Sequence, residues 1–116
     1  MSFMPGQRYL SETENNLGLG IVTSIEGRRV QLDFPAAQEN RIYAVAEAPL
    51  TRVVLQVGDT LQHRDNWFGK VIARQEMNGL YFYLTAKTDG GEVIVPESEL
   101  SSQFSLHNAK ERLLAG

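Results

Sequence analysis

The chain contains no cysteine, which excludes disulfide bonds, thiolate nucleophiles and every zinc or iron–sulfur site that needs sulfur ligands. No apolar run approaches the roughly 20 residues of a membrane-spanning helix. The first residues, Met1 to Gly6, have neither the basic flank nor the apolar stretch of a signal peptide. These absences together predict a cytoplasmic protein without a membrane partner.

Basic charge is also scarce, because 11 Lys and Arg stand against 14 Asp and Glu, giving a net charge of −3 at pH 7. A domain that mainly neutralises nucleic-acid phosphates carries a surplus of Lys and Arg instead. The remaining composition, 42% hydrophobic and 22% charged over 116 residues, is typical of a globular chain. Nucleic acid is therefore not the default partner.

The motifs of common catalytic sites are missing as well. The sequence has no Gly-x-x-x-x-Gly-Lys-[Ser/Thr] phosphate loop and no Gly-x-Ser-x-Gly nucleophile elbow. Its two histidines, His63 and His107, have no third ligand at metal-binding spacing, so they are predicted to be surface or linker residues. We expect no catalytic, cofactor-binding or metal-binding residues in this chain.

Alternation of polar and apolar residues is the main pattern in the sequence, and it predicts short β-strands. The strands are predicted at residues 20–25, 30–34, 41–45, 70–74, 81–85 and 92–95. Asn78-Gly79 is the strongest turn signal, since this pair favours the positive φ angles of a tight hairpin. Only the tail after Asn108 has a helical pattern.

The two halves of the chain superpose when the sequence is shifted by about fifty residues. Gly20-Ile21-Val22 then falls on Gly69-Lys70-Val71, and the segment containing Glu47 falls on the segment containing Glu97. The pattern predicts an all-β protein of two tandem, strongly bent antiparallel sheets. We place the modules at residues 1–54 and 55–106, followed by a linker or short helix at 107–116.

Several short motifs carry a resemblance that extends along essentially the whole chain. They are Pro5-Gly6-Gln7-Arg8-Tyr9, Leu17-Gly18-Leu19-Gly20-Ile21-Val22, Asn40-Arg41-Ile42-Tyr43-Ala44, Pro49-Leu50-Thr51-Arg52-Val53, Asn66-Trp67, Asn78-Gly79-Leu80, Pro96-Glu97-Ser98-Glu99-Leu100 and Arg112-Leu113-Leu114-Ala115-Gly116. In these motifs the chain resembles the start of the RapA (HepA) family, the bacterial RNA polymerase-associated Swi/Snf-type ATPases.

The resemblance implies two Tudor-like (SH3/KOW-like) modules placed ahead of a pair of ATPase lobes. It implies a non-catalytic regulatory domain of a transcription regulator that recycles RNA polymerase. The expected partners are core RNA polymerase and the ATPase lobes of the parent protein. ATP and magnesium are expected only in the ATPase region, because this chain lacks the nucleotide-binding motifs.

Basic and aromatic residues predicted to be exposed are the candidate partner contacts. They are Arg28, Arg29, Trp67, Lys70, Arg74, Tyr81 and Tyr83. We predict that Arg28 and Arg29 lie at a hairpin tip. Trp67 is expected to be a partly buried lid. On the strand at 81–85, we place Phe82 and Leu84 in the core and Tyr81 and Tyr83 on the other face, at least partly exposed.

Two alternative uses of these residues stay open. The aromatic side chains could form a cage for methylated lysine. The basic residues, with Tyr81 or Tyr83 stacking on bases, could instead make a weak KOW-type RNA- or DNA-binding module.

Overall fold

The computed structural model describes residues 2–103, which form two antiparallel β-sheets. The predicted linker or helix at 107–116, and His107 with it, lie outside the described residues. The strands are β1 Arg8–Ser11, β2 Leu19–Glu26, β3 Arg29–Phe34, β4 Glu39–Ala44, β5 Leu50–Arg52, β6 Thr60–Gln62, β7 Phe68–Met77, β8 Leu80–Lys87 and β9 Glu92–Pro96. Single turns of 3-10 helix occupy Asn15–Leu17, Val45–Glu47 and Glu97–Glu99. The predicted all-β tandem fold is confirmed.

The two sheets repeat one topology. The first has the strand order β4-β3-β2-β1-β5 and the second β6-β7-β8-β9. In the second half, an isolated β-bridge between His63 and Leu100 takes the place of the β1–β5 pairing found in the first sheet. Each sheet has a register shift in its long strand, between Val22 and Ser24 in β2 and between Val71 and Ala73 in β7. Such bulges bend a strand and increase its twist.

The hairpin between β7 and β8 forms at the predicted turn. Asn78 and Gly79 both have positive φ, 55° and 85°, as a two-residue hairpin turn requires. This turn fixes which β7 residue faces which β8 residue, from Met77 opposite Leu80 back to Gly69 opposite Lys87.

The two halves share a hydrophobic core. One cluster lies within the first half, around Val30, Leu32 and Phe34 of β3. The second cluster joins Leu10 and Leu19 of the first sheet to the inner residues of the second sheet, which are Leu61, Val71, Tyr83, Val95 and Leu100. Each sheet therefore completes the burial of the other.

The prediction for the two faces of β8 is wrong. Tyr83 is fully buried, whereas Phe82 and Leu84 are partly exposed on the opposite side of the strand. Tyr83 occupies an inner position because its hydroxyl accepts a hydrogen bond from the backbone N–H of Leu55 at 3.1 Å, so burial leaves no polar atom unpaired. Tyr81, predicted to be at least partly exposed, is indeed partly exposed.

The reversed faces leave an apolar outer surface on the second sheet. Phe82 pairs with Pro96 and Leu84 with Ile94, and we call these four residues the outer face of the second sheet. At the matching positions of the first sheet, Arg29 pairs with Ala44 and Gln31 with Ile42. Phe82 and Leu84 of the second sheet thus stand where the first sheet has the polar Arg29 and Gln31, whereas the paired positions on the neighbouring strand are apolar in both sheets.

Candidate functional site

One buried carboxylate, that of Glu97, organises the junction between the sheets. Glu97 is only 1% exposed and lies in the 3-10 turn that follows β9. Its Oε1 accepts the backbone N–H of Arg8 at 3.0 Å, and its Oε2 accepts the backbone N–H of Tyr81 at 2.6 Å and Nη2 of Arg52 at 2.7 Å. Nη1 of Arg52 also donates to Oε1. With every lone-pair direction engaged, the carboxylate is a structural junction and not an acid–base group.

Arg52 fills the space in which an aromatic cage would hold a cation. Its guanidinium lies 5.5 Å from the Tyr9 ring centroid and 5.1 Å from that of Tyr81. Arg74 lies over the same Tyr81 ring at 5.2 Å and also donates to the Leu55 carbonyl oxygen at 3.3 Å. A methylated lysine would have to displace the guanidinium of Arg52 from its bidentate ion pair with Glu97. The arrangement therefore disfavours the methyl-lysine hypothesis.

Tyr83 extends this cluster into the core. Its ring stacks on that of Tyr81 with centroids 6.3 Å apart. Burial raises the pKa of Tyr83 from 10.0 to about 12, partly offset by the hydrogen bond from Leu55. The phenol is therefore neutral in the folded protein over the physiological range.

This raised pKa predicts a loss of stability in alkali. Between pH 10 and about 12 the unfolded chain ionises Tyr83 while the folded chain does not, so the tyrosine's contribution to folding falls with rising pH. Tyr83→Phe removes the titration but leaves the buried Leu55 N–H unpaired, at a cost of about 1–3 kcal/mol. Urea unfolding should show the stability gap between parent and variant shrinking from pH 9 to pH 11.5. A gap independent of pH would contradict the assignment.

Trp67 belongs to a separate cluster around His63. The two rings stack at 4.6 Å, and the Lys87 ammonium lies 5.0 Å from the indole centroid. His63 is buried, so its predicted surface or linker position is wrong. Its Nδ1 accepts the Asp65 N–H and its Nε2 lies 2.9 Å from Oε1 of Glu99. These bonds give the histidine a structural role in holding the turn before β7.

The other predicted contacts are placed apart from these clusters. Arg28 and Arg29 are exposed at the β2–β3 hairpin tip, beside Gly27 with its φ of 60°. Lys70 is exposed on β7 between the buried Gly69 and Val71. Of the seven predicted residues, the structure brings only Arg74, Tyr81 and Tyr83 into one cluster.

Residues absent from the predicted set make up most of the junction. Arg8, Arg52 and Glu97 connect positions more than forty residues apart in sequence. The signals for Glu97 in the sequence are its place directly after an apolar strand ending in Pro96 and its match to Glu47 in the repeat, which predicts a structural corner or cap. The outer face of the second sheet was also missed, because two of its four residues, Phe82 and Leu84, were assigned to the core.

Residues 2–103 contain no group of three or more His, Asp or Glu side chains placed to hold a metal ion. None of the helices in the same part of the chain has the length and apolar character needed to cross a membrane.

Two small antiparallel sheets of matching topology, fused through one core, define a tandem pair of Tudor-like modules. The family model described as RapA N-terminal Tudor-like domain 1 matches residues 3–53, and the RapA N-terminal Tudor-like domain model matches residues 56–116. The chain belongs to the family of RapA N-terminal Tudor-like domains.

Curated relatives named RNA polymerase-associated protein RapA match nearly the whole chain. The protein of Haemophilus influenzae (strain PittEE) is 49% identical over 115 residues, or 99% of this chain. Those of Pasteurella multocida and Histophilus somni are each 46% identical, over 97% and 99% of the chain. The chain spans 12% of the length of each of these relatives. It thus corresponds to the Tudor-like domains alone, with no catalytic domain evident in it.

Proposed function

We propose that this chain is a non-catalytic regulatory and protein-interaction domain of a cytoplasmic RNA polymerase-associated ATPase that recycles the polymerase. It binds core RNA polymerase, restrains the ATPase lobes of its parent, or does both. Its two modules comprise residues 1–54 and 55–106. ATP and magnesium bind in the ATPase region of the parent protein and not in these modules. The family membership and the name that the relatives carry support this proposal.

The observation that favours protein docking is the apolar outer face of the second sheet. Ile94 is 63% exposed at its edge, beside Leu84 on the neighbouring strand. A patch of partly exposed apolar side chains on one of two matching sheets is typical of an interaction surface. Nucleic acid would favour basic side chains there, whereas a protein partner gains from covering apolar ones.

A matched pair of substitutions tests this surface. Ile94→Gln changes the outer face of the second sheet, and Ile42→Gln changes the equivalent edge position of the first sheet, where the isoleucine is 60% exposed. Covering one isoleucine side chain contributes about 1.5–3 kcal/mol, so Ile94→Gln is expected to weaken capture of purified core polymerase on the order of tenfold. Ile42→Gln should leave capture unchanged.

The same two variants, placed in the parent ATPase, distinguish the two partners. Weaker polymerase capture with an unchanged ATPase rate assigns the face to the polymerase. Unchanged capture with a raised ATPase rate and intact nucleotide binding assigns it to the ATPase lobes. If neither capture nor rate responds to Ile94→Gln, or if Ile42→Gln has the same effect, the docking proposal is wrong.

One observation favours the alternative of a weak nucleic-acid-binding module, namely the adjacent exposed side chains of Arg28 and Arg29 at the hairpin tip. The other basic candidates, Lys70 and Arg74, lie on β7 of the second sheet, where Arg74 contacts Tyr81, Leu55 and Gln56. Titration with labelled single-stranded RNA and duplex DNA at two salt concentrations tests this alternative, because binding through phosphates weakens steeply as salt rises. No binding at 50 mM salt would eliminate it.

A further inference from the structure

A cavity of about 400 Å³ lies at the junction of the two halves, apart from the outer face of the second sheet. Its walls come from β1, β2, the β3–β4 turn, the turn between β6 and β7, and the last 3-10 turn with the segment after it. The lining residues are Arg8, Ile21, Pro35, Ala36, Arg64, Ser98, Leu100, Ser101, Ser102 and Gln103. Two of them are arginines, and among the residues that the structure describes no Asp or Glu lines the cavity. The wall is thus cationic although the whole chain is acidic.

Arg8 contributes a buried guanidinium that only neutral acceptors hold. It is 1% exposed. Its Nε donates to the Gly20 carbonyl at 3.0 Å, Nη1 to the Leu100 carbonyl at 2.7 Å and Nη2 to Oγ of Ser102 at 2.7 Å. The nearby carboxylate of Glu97 is held by both terminal nitrogens of Arg52. The charge of Arg8 therefore lacks a carboxylate in direct contact.

Burial, and to a smaller extent the charge of Arg64, disfavours the charged form of Arg8. Burial lowers the pKa of Arg8 to about 10; Glu97 raises it and the charge of Arg64 lowers it further. Arg64 is exposed at the cavity, and within residues 2–103 no carboxylate pairs with its side chain. An anion placed between the two guanidiniums would relieve this repulsion.

The remaining lining residues divide into two kinds. Ser98, Ser101 and Ser102 line the cavity together with the arginines, and serine hydroxyls and guanidinium groups are the usual partners of phosphate oxygens. Ile21, Pro35, Ala36 and Leu100 supply apolar surface. The volume lies within the range of about 300–1,000 Å³ typical of small-molecule sites, and it leaves room for more than a phosphate group.

We infer that this cavity binds a small organic phosphate. The phosphate group bonds to Arg64 and to the serine hydroxyls and neutralises the field of Arg8, while an apolar or flat body lies against Ile21, Pro35 and Ala36. Since the lining comes from both halves of the chain, the ligand stabilises their packing. The inference is independent of polymerase binding, and it assigns a regulatory ligand rather than a hydrolysed substrate.

Titration of the isotope-labelled 116-residue chain at constant ionic strength tests the site. The probes are adenosine 5′-monophosphate, inorganic phosphate and adenosine. Adenosine 5′-monophosphate should bind most tightly and shift the amide resonances of Ala36, Arg64, Ser98, Ser101 and Ser102. Inorganic phosphate should shift the serine and Arg64 amides with weaker affinity. Adenosine should bind weakest of the three.

Arg64→Gln is expected to weaken binding of the monophosphate about tenfold or more, since it removes the exposed guanidinium of the lining, whereas that of Arg8 is buried. Arg41→Gln serves as the matched control, because Arg41 pairs with Glu14 and Glu39 and does not line the cavity, and because this variant has the same net charge as Arg64→Gln; its affinity should equal that of the parent. Absence of shifts at these amides at 10 mM probe would overturn the inference. Equal loss in both variants, or equal affinity for phosphate and the monophosphate, would do so as well.

Discussion

Glu97→Ala is expected to destabilise the fold by about 3–5 kcal/mol, the range for breaking a buried ion pair from one side. The substitution leaves the guanidinium of Arg52 without its counter-ion next to Tyr9 and Tyr81. It also leaves the backbone N–H groups of Arg8 and Tyr81 without their acceptor. These groups belong to both halves of the chain. The two halves should therefore still unfold in a single transition, with its midpoint at a lower urea concentration.

The matched control is Glu47→Ala. Glu47 lies in the 3-10 turn that follows β4, and Glu97 lies in the 3-10 turn that follows β9. Glu47 is exposed, so its substitution should change the free energy of unfolding by no more than about 0.5 kcal/mol. Equal effects of the two substitutions, or a loss below about 1 kcal/mol for Glu97→Ala, would show that the junction does not depend on this carboxylate.

Gly69→Ala is expected to cost about 3 kcal/mol or more, at the upper end of overpacking effects. A Cβ atom at Gly69 would lie 2.5 Å from Cγ2 of Thr85 and 2.7 Å from the carbonyl oxygen of Ala86. The second atom belongs to the β8 backbone, which is held on both sides by β7 and β9. No rotamer change can remove this contact, so strand pairing itself must shift.

Gly20, the equivalent glycine of the first sheet, provides the comparison. A Cβ there would lie 2.6 Å from Cε1 of Phe34, a side-chain atom. Gly20→Ala should therefore be partly rescued by Phe34→Leu, which opens space at that point, whereas Gly69→Ala should not be rescued by Thr85→Ser. Urea unfolding of the single and double variants measures both couplings. Rescue of Gly69→Ala, or none for Gly20→Ala, would contradict the packing seen here.

The strands and the repeat were predictable from sequence because they depend on local signals. Two-residue alternation marks strands, and Asn78-Gly79 marks its turn, whatever lies elsewhere in the chain. The inner face of β8 was not predictable, since Phe82 and Leu84 are as apolar as Tyr81 and Tyr83. The choice depends on the Leu55 N–H that receives the Tyr83 hydroxyl, a partner 28 residues away.

The candidate site was predictable only in part for the same reason. Gly27 marks the hairpin tip that exposes Arg28 and Arg29. The roles of Glu47 and Glu97 were equated by the sequence shift, yet one is exposed and the other buried. In the structure the turns Val45–Glu47 and Glu97–Glu99 follow matching edge strands, so Glu97 corresponds to the first residue of its counterpart, Val45. A weak repeat cannot reveal such a local difference in loop length.

One hydrophobic cluster bears on how such proteins evolve, because both sheets contribute to it. Its members include Leu10 and Leu19 from the first sheet and Leu61, Val71 and Val95 from the second. When two copies of a unit pack into a common core, neither can be transferred to a different protein without exposing the apolar side chains that packed against the other copy. Recombination that separates them would expose apolar side chains in both pieces, so we expect the doubled unit to be inherited as a whole.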